Sequence, residues 1–195
     1  EAGQTIGIIG GTGAGKTTLV NLIPRFYDCS EGTVSVDGTD VTKFDAEELR
    51  NRIGIVPQKA MLFHGTVRSN LLWGNKNASD EELYEALKTA QAEDFIREKQ
   101  GLDTKVEQGG KNFSGGQRQR LTIARAMVRK PEILILDDSS SALDYLTDAN
   151  LRRAIRSAEN PPTTFIVSQR TASVRNADKI IVLDDGKAVG MGDHE

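Results

Sequence analysis

The stretch QTIGIIGGTGAGKTT, Gln4 to Thr18, decides the architecture of this 195-residue chain. Its first half is a short β-branched run without strict alternation, the pattern of a strand buried on both faces of a parallel sheet. Its second half, GGTGAGKTT (Gly10 to Thr18), matches G-x-x-x-x-G-K-[ST], the phosphate loop that joins such a strand to a helix. Glycines let successive backbone N–H groups turn toward one anion, and the helix N-terminus adds its dipole. Gly10, Gly11, Thr12, Gly13, Ala14, Gly15, Lys16, Thr17 and Thr18 are therefore candidate nucleotide-binding residues. Lys16 is placed to reach the β- and γ-phosphates, and Thr17 to offer a hydroxyl to Mg²⁺.

Four more runs read like the first: RIGIVP (Arg52 to Pro57), EILILD (Glu132 to Asp137), TTFIVS (Thr163 to Ser168) and KIIVLD (Lys179 to Asp184). Helical patterns over Lys16 to Phe26, Asp45 to Arg50 and Leu146 to Ser157 lie between them, and that alternation predicts an α/β fold with right-handed crossovers. Between Thr66 and Lys130 the strand signal vanishes. Ser79 followed by Glu82 predicts a capped helix up to Ala90, a second helical piece covers Ala92 to Lys99, and Ser114 followed by Gln117 caps a third. TVSVDGTDVT and LDDGKAVG carry Asp-Gly turns between alternating residues and predict hairpins at sheet edges. The expectation is one domain over 1–195: an α/β core of mostly parallel sheet from about 1–65 and 131–195, and an inserted α-helical subdomain over about 66–130.

With 37% hydrophobic and 27% charged residues and a net charge of −3, the chain has the composition of an ordinary globular protein and no electrostatic footprint for nucleic acid. Its longest apolar runs are strand-sized, too short to span a bilayer. The single cysteine, Cys29, excludes an internal disulfide, and Cys29, His64 and His194 have no partners at metal-ligand spacing, so all three read as structural. ILILDD, Ile133 to Asp138, supplies the second half of a nucleotide site. A buried strand ending in Asp137 delivers a carboxylate that holds Mg²⁺ through its waters.

The second glycine cluster adds a family likeness. NFSGGQRQRLTIARA, Asn112 to Ala126, resembles the signature segment of ATP-binding cassette proteins, with Phe113 where leucine is usual and Ser114, Gly115, Gly116 and Gln117 unchanged. The resemblance implies a RecA-like P-loop NTPase core that binds ATP and Mg²⁺. It also implies that these four residues close over the γ-phosphate held by a second nucleotide-binding domain, head to tail. Gln58 resembles the family's Q-loop glutamine, which contacts the metal and the attacking water. SALD, Ser141 to Asp144, resembles the D-loop that touches the opposite site. QKAMLFHGTVRSNL, Gln58 to Leu71, is similar to the exporter branch, which implies a transmembrane domain in the same polypeptide and a place at the cytoplasmic face of the cell membrane.

Two positions depart from the family pattern. Asp138 stands where a catalytic glutamate is usual, one methylene shorter, and Gln169 stands where a switch histidine is usual, an amide that neither carries an imidazolium charge nor relays a proton. In TKVEQGGKN, Glu107 and Gln108 also differ from the exporter's usual glycine and glutamate. The combined pattern is similar to the degenerate-site subunit of a heterodimeric exporter. The catalytic set is then Lys16, Gln58, Asp138 and Gln169, and the metal set Thr17, Gln58 and Asp137. The chain is expected to be a piece of a longer polypeptide, lacking the upstream aromatic that stacks on adenine. Three alternatives stay open: both departures tolerated in a working ATPase, a non-transport cassette ATPase, and a regulatory ATP-binding module without turnover.

Overall fold

A computed structural model describes residues 1–139 and 141–193 of the chain; His194 lies outside the described residues. In chain order the elements are β1 (Thr5–Gly10), α1 (Lys16–Asn21), β2 (Ser35–Val36), β3 (Thr39–Asp40), α2 (Ala46–Asn51), β4 (Ile53–Val56), β5 (Gly65–Thr66), α3 (Val67–Leu71), α4 (Asp80–Thr89), α5 (Glu93–Arg97), β6 (Lys105–Val106), α6 (Gly115–Val128), β7 (Ile133–Asp137), α7 (Tyr145–Arg156), β8 (Thr163–Ser168), β9 (Lys179–Asp184) and β10 (Lys187–Gly192). Six strands form one sheet in the order β10-β9-β1-β8-β7-β4. All pairs are parallel except β9 with β10. The fold is thus the expected α/β class.

The period of two along a strand divides the sheet's side chains between two cores. Leu134 and Leu136 of β7, with Val56, Ile166 and Ile180, face a large cluster that includes Leu71, Leu83, Leu87, Ile123 and Leu151 from α3, α4, α6 and α7. Ile135, with Ile8, Ile53, Val167 and Leu183, faces the other side, against Val20 of α1 and Leu49 of α2. No helix of the described residues is long and apolar enough to cross a membrane.

Local chemistry sets the ends. Ser79 and Ser114 each form the expected capping box, with Glu82 and Gln117, and each such cap is worth about 1 kcal/mol. Asp144 caps α7. In both Asp-Gly turns the two central residues have positive φ, 49° and 74° at Asp37 and Gly38 and 44° and 72° at Asp185 and Gly186, the geometry that matches strand twist in a tight hairpin.

Three expectations need correction. The first helix stops at Asn21 rather than Phe26. Pro24 has no N–H to continue the ladder and disfavours helical backbone at Ile23, and the chain tightens into Leu22 N to Leu19 O and Ile23 N to Val20 O bonds. The β2–β3 hairpin is a separate two-stranded sheet, whereas only β9–β10 sits at an edge of the main one. The helical stretch also holds one strand, β6, which pairs antiparallel with β5 across forty residues of sequence.

The start of β1 is tied down by Asp178, whose carboxylate accepts from Thr5 N at 2.7 Å and from Arg156 at 2.7 and 2.8 Å. The Thr5 amide holds this carboxyl below the usual range; burial opposes it, and the Arg156 guanidinium adds to the lowering. A depressed folded pKa means stability that is present above the unfolded value of about 3.9 and lost as pH falls through the folded value. Thermal unfolding from pH 7 to 3 is expected to show Asp178→Asn less stable at pH 7 and with a shallower acid decline than the wild type.

Candidate functional site

The parallel strands bring the predicted residues to one end of the sheet. Gly10 ends β1, Asp137 ends β7 and Gln169 follows β8. Asp137 lies opposite Val167 in register, and Ser168 opposite Ile9. This is the carboxyl end of the strands, where α/β sheets bind their ligands.

The candidate phosphate loop is a braced turn. Gly13 and Gly15 have φ of 80° and 93°, a region that disfavours side chains, and Gly15 is the N-cap of α1 without any side-chain cap. A Cβ on Gly10 would lie 2.3 Å from the Leu183 carbonyl oxygen of β9, so only glycine lets the loop leave the sheet there. The Gly186 N–H donates to the carbonyl of buried Ala14 at 3.1 Å, which pins the loop to the β9–β10 turn. Sequence reading identified that turn but not this role, which requires the pairing of β1 with β9.

Lys16 is only 9% exposed. Its ammonium donates to the carbonyls of Gly10 at 2.8 Å and Gly11 at 2.7 Å, so it is folded across the mouth of the loop. Thr17 Oγ1 donates to both carboxylate oxygens of Asp137, at 3.1 and 2.9 Å, across 120 residues of sequence. Burial pushes the Asp137 carboxyl up; the Thr17 bond opposes this, neighbouring Asp138 raises it further, and Lys16 lowers it. A half-buried carboxylate facing a hydroxyl is a pair of oxygen donors that fits a hard divalent ion.

Asp138 is half-buried at the turn after β7 with φ of 46°, left-handed backbone that aspartate tolerates. Its N–H donates to the Val167 carbonyl at 2.8 Å, and its carbonyl accepts from Ser141 Oγ at 2.9 Å. The exposed Gln58 reaches it, donating from Nε2 to Asp138 Oδ2 at 3.2 Å. The structure thus couples Gln58 to the carboxylate rather than to the Thr17–Asp137 pair. Gln169 is exposed, two residues after Val167.

Ser114, Gly115, Gly116 and Gln117 form the first turn of α6, which packs on α3, α4 and β4. Ser114 Oγ accepts from Gln117 N at 3.2 Å, and Ser114 N donates to Gln117 Oε1 at 3.0 Å. Buried Phe113 anchors the turn, its carbonyl accepting from Arg118 at 2.6 Å and its ring meeting Phe95 edge-on. Among the described residues no hydrogen bond links this segment to the phosphate loop of the same chain.

Comparison with known proteins places this geometry among relatives. The family described as "ABC transporter" matches residues 1–141. The chain is 48% identical over 196 residues to an uncharacterized ABC transporter ATP-binding protein of Mycobacterium bovis. It is 47% identical over 193 residues to the beta-(1→2)glucan export ATP-binding/permease protein NdvA of Bartonella bacilliformis and 43% identical over 195 to the ATP-dependent lipid A-core flippase of Desulfotalea psychrophila. These alignments cover 98–100% of this chain and 32–34% of the relatives, so the chain spans about a third of the length of the curated relatives it matches. A solved structure of a bacterial Atm1-family ABC exporter with ATP bound superposes with a TM-score of 0.93 at 39% identity, covering 99% of this chain and 34% of that one.

Proposed function

Because the chain belongs to the ABC transporter family and has its P-loop NTPase fold, we propose that it is the ATP-binding and ATP-hydrolysing motor of a membrane exporter. The relatives that carry export or flippase names support the direction of transport. The observation that carries the proposal is the Thr17–Asp137 pair, which joins the phosphate loop to the strand-end carboxylate at one point. In this reading residues 1–65 and 131–195 form the core and 66–130 the helical subdomain. The phosphate loop from Gly10 to Thr18 takes the phosphates of ATP, with Lys16 turning from its own carbonyls to the β- and γ-phosphates. Thr17 and Asp137 would hold Mg²⁺, joined by Gln58 once its side chain turns from Asp138, and the ion when bound would screen phosphate charge and polarise the γ-phosphoryl group.

The finer proposal is that this site hydrolyses ATP weakly. Asp138 is one methylene short of a glutamate, and its backbone is bonded at both N–H and carbonyl, so the turn cannot advance to recover the lost reach. Gln169 adds a hydrogen bond but no proton relay. Ser114 to Gln117, unlinked to their own phosphate loop, then complete the site of a second nucleotide-binding domain, head to tail and from a different subunit. The transmembrane domain belongs to the same polypeptide, and the domain works at the cytoplasmic face of the membrane.

Mixing the full-length polypeptide with a partner whose own site carries a glutamate and a histidine at these two positions tests this. ATPase activity of the pair is expected to exceed the sum of the two alone by about tenfold or more, since removing an electrostatic donor from such a site costs on the order of 10²-fold. Purely additive activity would sink the head-to-tail reading and favour a regulatory module without turnover.

A further inference from the structure

We propose that the cavity between α7 and the sheet is a second ligand site, built for a small carboxylate with an apolar or aromatic body. The cavity holds about 610 Å³, and none of Gly10 to Thr18, Gln58, Asp137, Asp138 or Gln169 lines it. It is separate from the candidate nucleotide site, so the proposal stands or falls independently of the head-to-tail reading. Its volume falls in the roughly 300–1,000 Å³ range of small-molecule pockets. The floor is apolar: Leu136 of β7, Ile155 of α7 and Ile166 of β8, all buried members of the large core. Pro161 and Pro162, just before β8, line it too and offer no N–H. A ligand's ring or chain laid on this floor leaves water without disturbing any polar partner there.

The charge around the cavity is one-sided. Arg152, Arg153 and Arg156 of α7 line it, and among the described residues no carboxylate does. Two of the three are held by acids that do not line the cavity. Asp148, one turn back along α7, accepts from Arg152 Nη2 at 2.6 Å, and Asp178 accepts from Arg156 Nη2 at 2.7 and 2.8 Å. A guanidinium carries five N–H donors in a rigid fork, so these ion pairs orient the two heads and leave donors over. The Arg153 guanidinium makes no ion pair among the described residues. Against Asp148 and Asp178 the three arginines leave an excess of one positive charge, which fits a monoanionic carboxylate better than a dianionic phosphate. Tyr145 stands at the N-terminal end of the same helix, lines the cavity and is 83% exposed, so its ring is free to stack on the body of a ligand.

The probe is 2-naphthoate, titrated by calorimetry into the full-length polypeptide with MgATP at saturation to keep it off the nucleotide site. Its control is 2-naphthamide, which keeps the ring system and loses the charge. The naphthoate is expected to bind with a Kd on the order of 1 mM or tighter. The amide should bind about tenfold more weakly, the effect of one charge-assisted hydrogen bond. Amide hydrogen exchange should slow in residues 149–156 and 161–166 and stay unchanged in 10–18. Raising the ionic strength from about 0.05 to about 0.5 M should shrink the preference for the charged probe, because the rim arginines are open to salt. Arg153→Gln, which breaks no ion pair of the fold, is expected to reduce that preference to about twofold or less. Ala149→Met, which places a longer side chain into the cavity, should weaken both probes together. Equal affinity for the two probes, a preference that survives Arg153→Gln, or protection confined to other segments would overturn the site. So would the absence of binding by either probe, the result if another segment of the long polypeptide covers the floor.

Discussion

Replacing Asp138 with glutamate and Gln169 with histidine is expected to raise ATP turnover at this chain's own site by about 10²-fold, since misplacing a catalytic group by about 1 Å costs that much. The extra methylene restores reach that the backbone cannot supply, because the Asp138 turn is bonded to Val167 and Ser141. The imidazole restores a group that titrates near neutrality next to the γ-phosphate, where Gln169 offers only a neutral amide. The measurement is the ATPase rate of the assembled pair after the partner's phosphate-loop lysine has been removed, so that this site alone counts. A rate unchanged by the two substitutions would refute the weak-site proposal and leave an ordinary working ATPase.

Lys16→Ala is expected to weaken ATP binding by about 10- to 150-fold, from the roughly 1.5–3 kcal/mol of hydrogen bonding to a charged group and 1.4 kcal/mol per tenfold. The fold itself should change little, because the lost ammonium caps only two loop carbonyls, Gly10 and Gly11, that water then reaches. The distinguishing readout is ligand-linked stability. At an ATP concentration of 100 times the wild-type Kd, binding stabilises the native state by about 2.7 kcal/mol, and with a hundredfold weaker variant the same concentration yields about 0.4 kcal/mol. Thermal melts with and without MgATP measure this directly. A variant that keeps the full shift would remove Lys16 from the phosphate site.

The legible parts of this fold are those that local chemistry encodes. β8 and β9 occupy the residues their apolar runs mark, the boxes at Ser79 and Ser114 start α4 and α6, and both Asp-Gly pairs turn with positive φ. The misread parts depend on something outside the window. A helix pattern through Phe26 was cut at Asn21 by the approach of Pro24, and β6 is two residues that extend only because β5 pairs with them. The sheet order is likewise invisible locally, since β1 comes to lie between β8 and β9, the last parallel strands to be made.

The candidate site divides in the same way. Residue type and spacing alone marked Gly10 to Thr18 as a candidate phosphate loop and Asp137 as the end of a buried strand, and the family resemblance singled out Asp138 and Gln169 as departures worth testing. Those are covalent and periodic properties of the chain, readable wherever it folds. Only the tertiary structure decided that Thr17 meets Asp137, that Gln58 turns to Asp138, and that Leu183 forbids a side chain at Gly10. Each of those joins residues far apart in sequence through backbone positions that the packed sheet and helices fix together, and no local pattern carries that information.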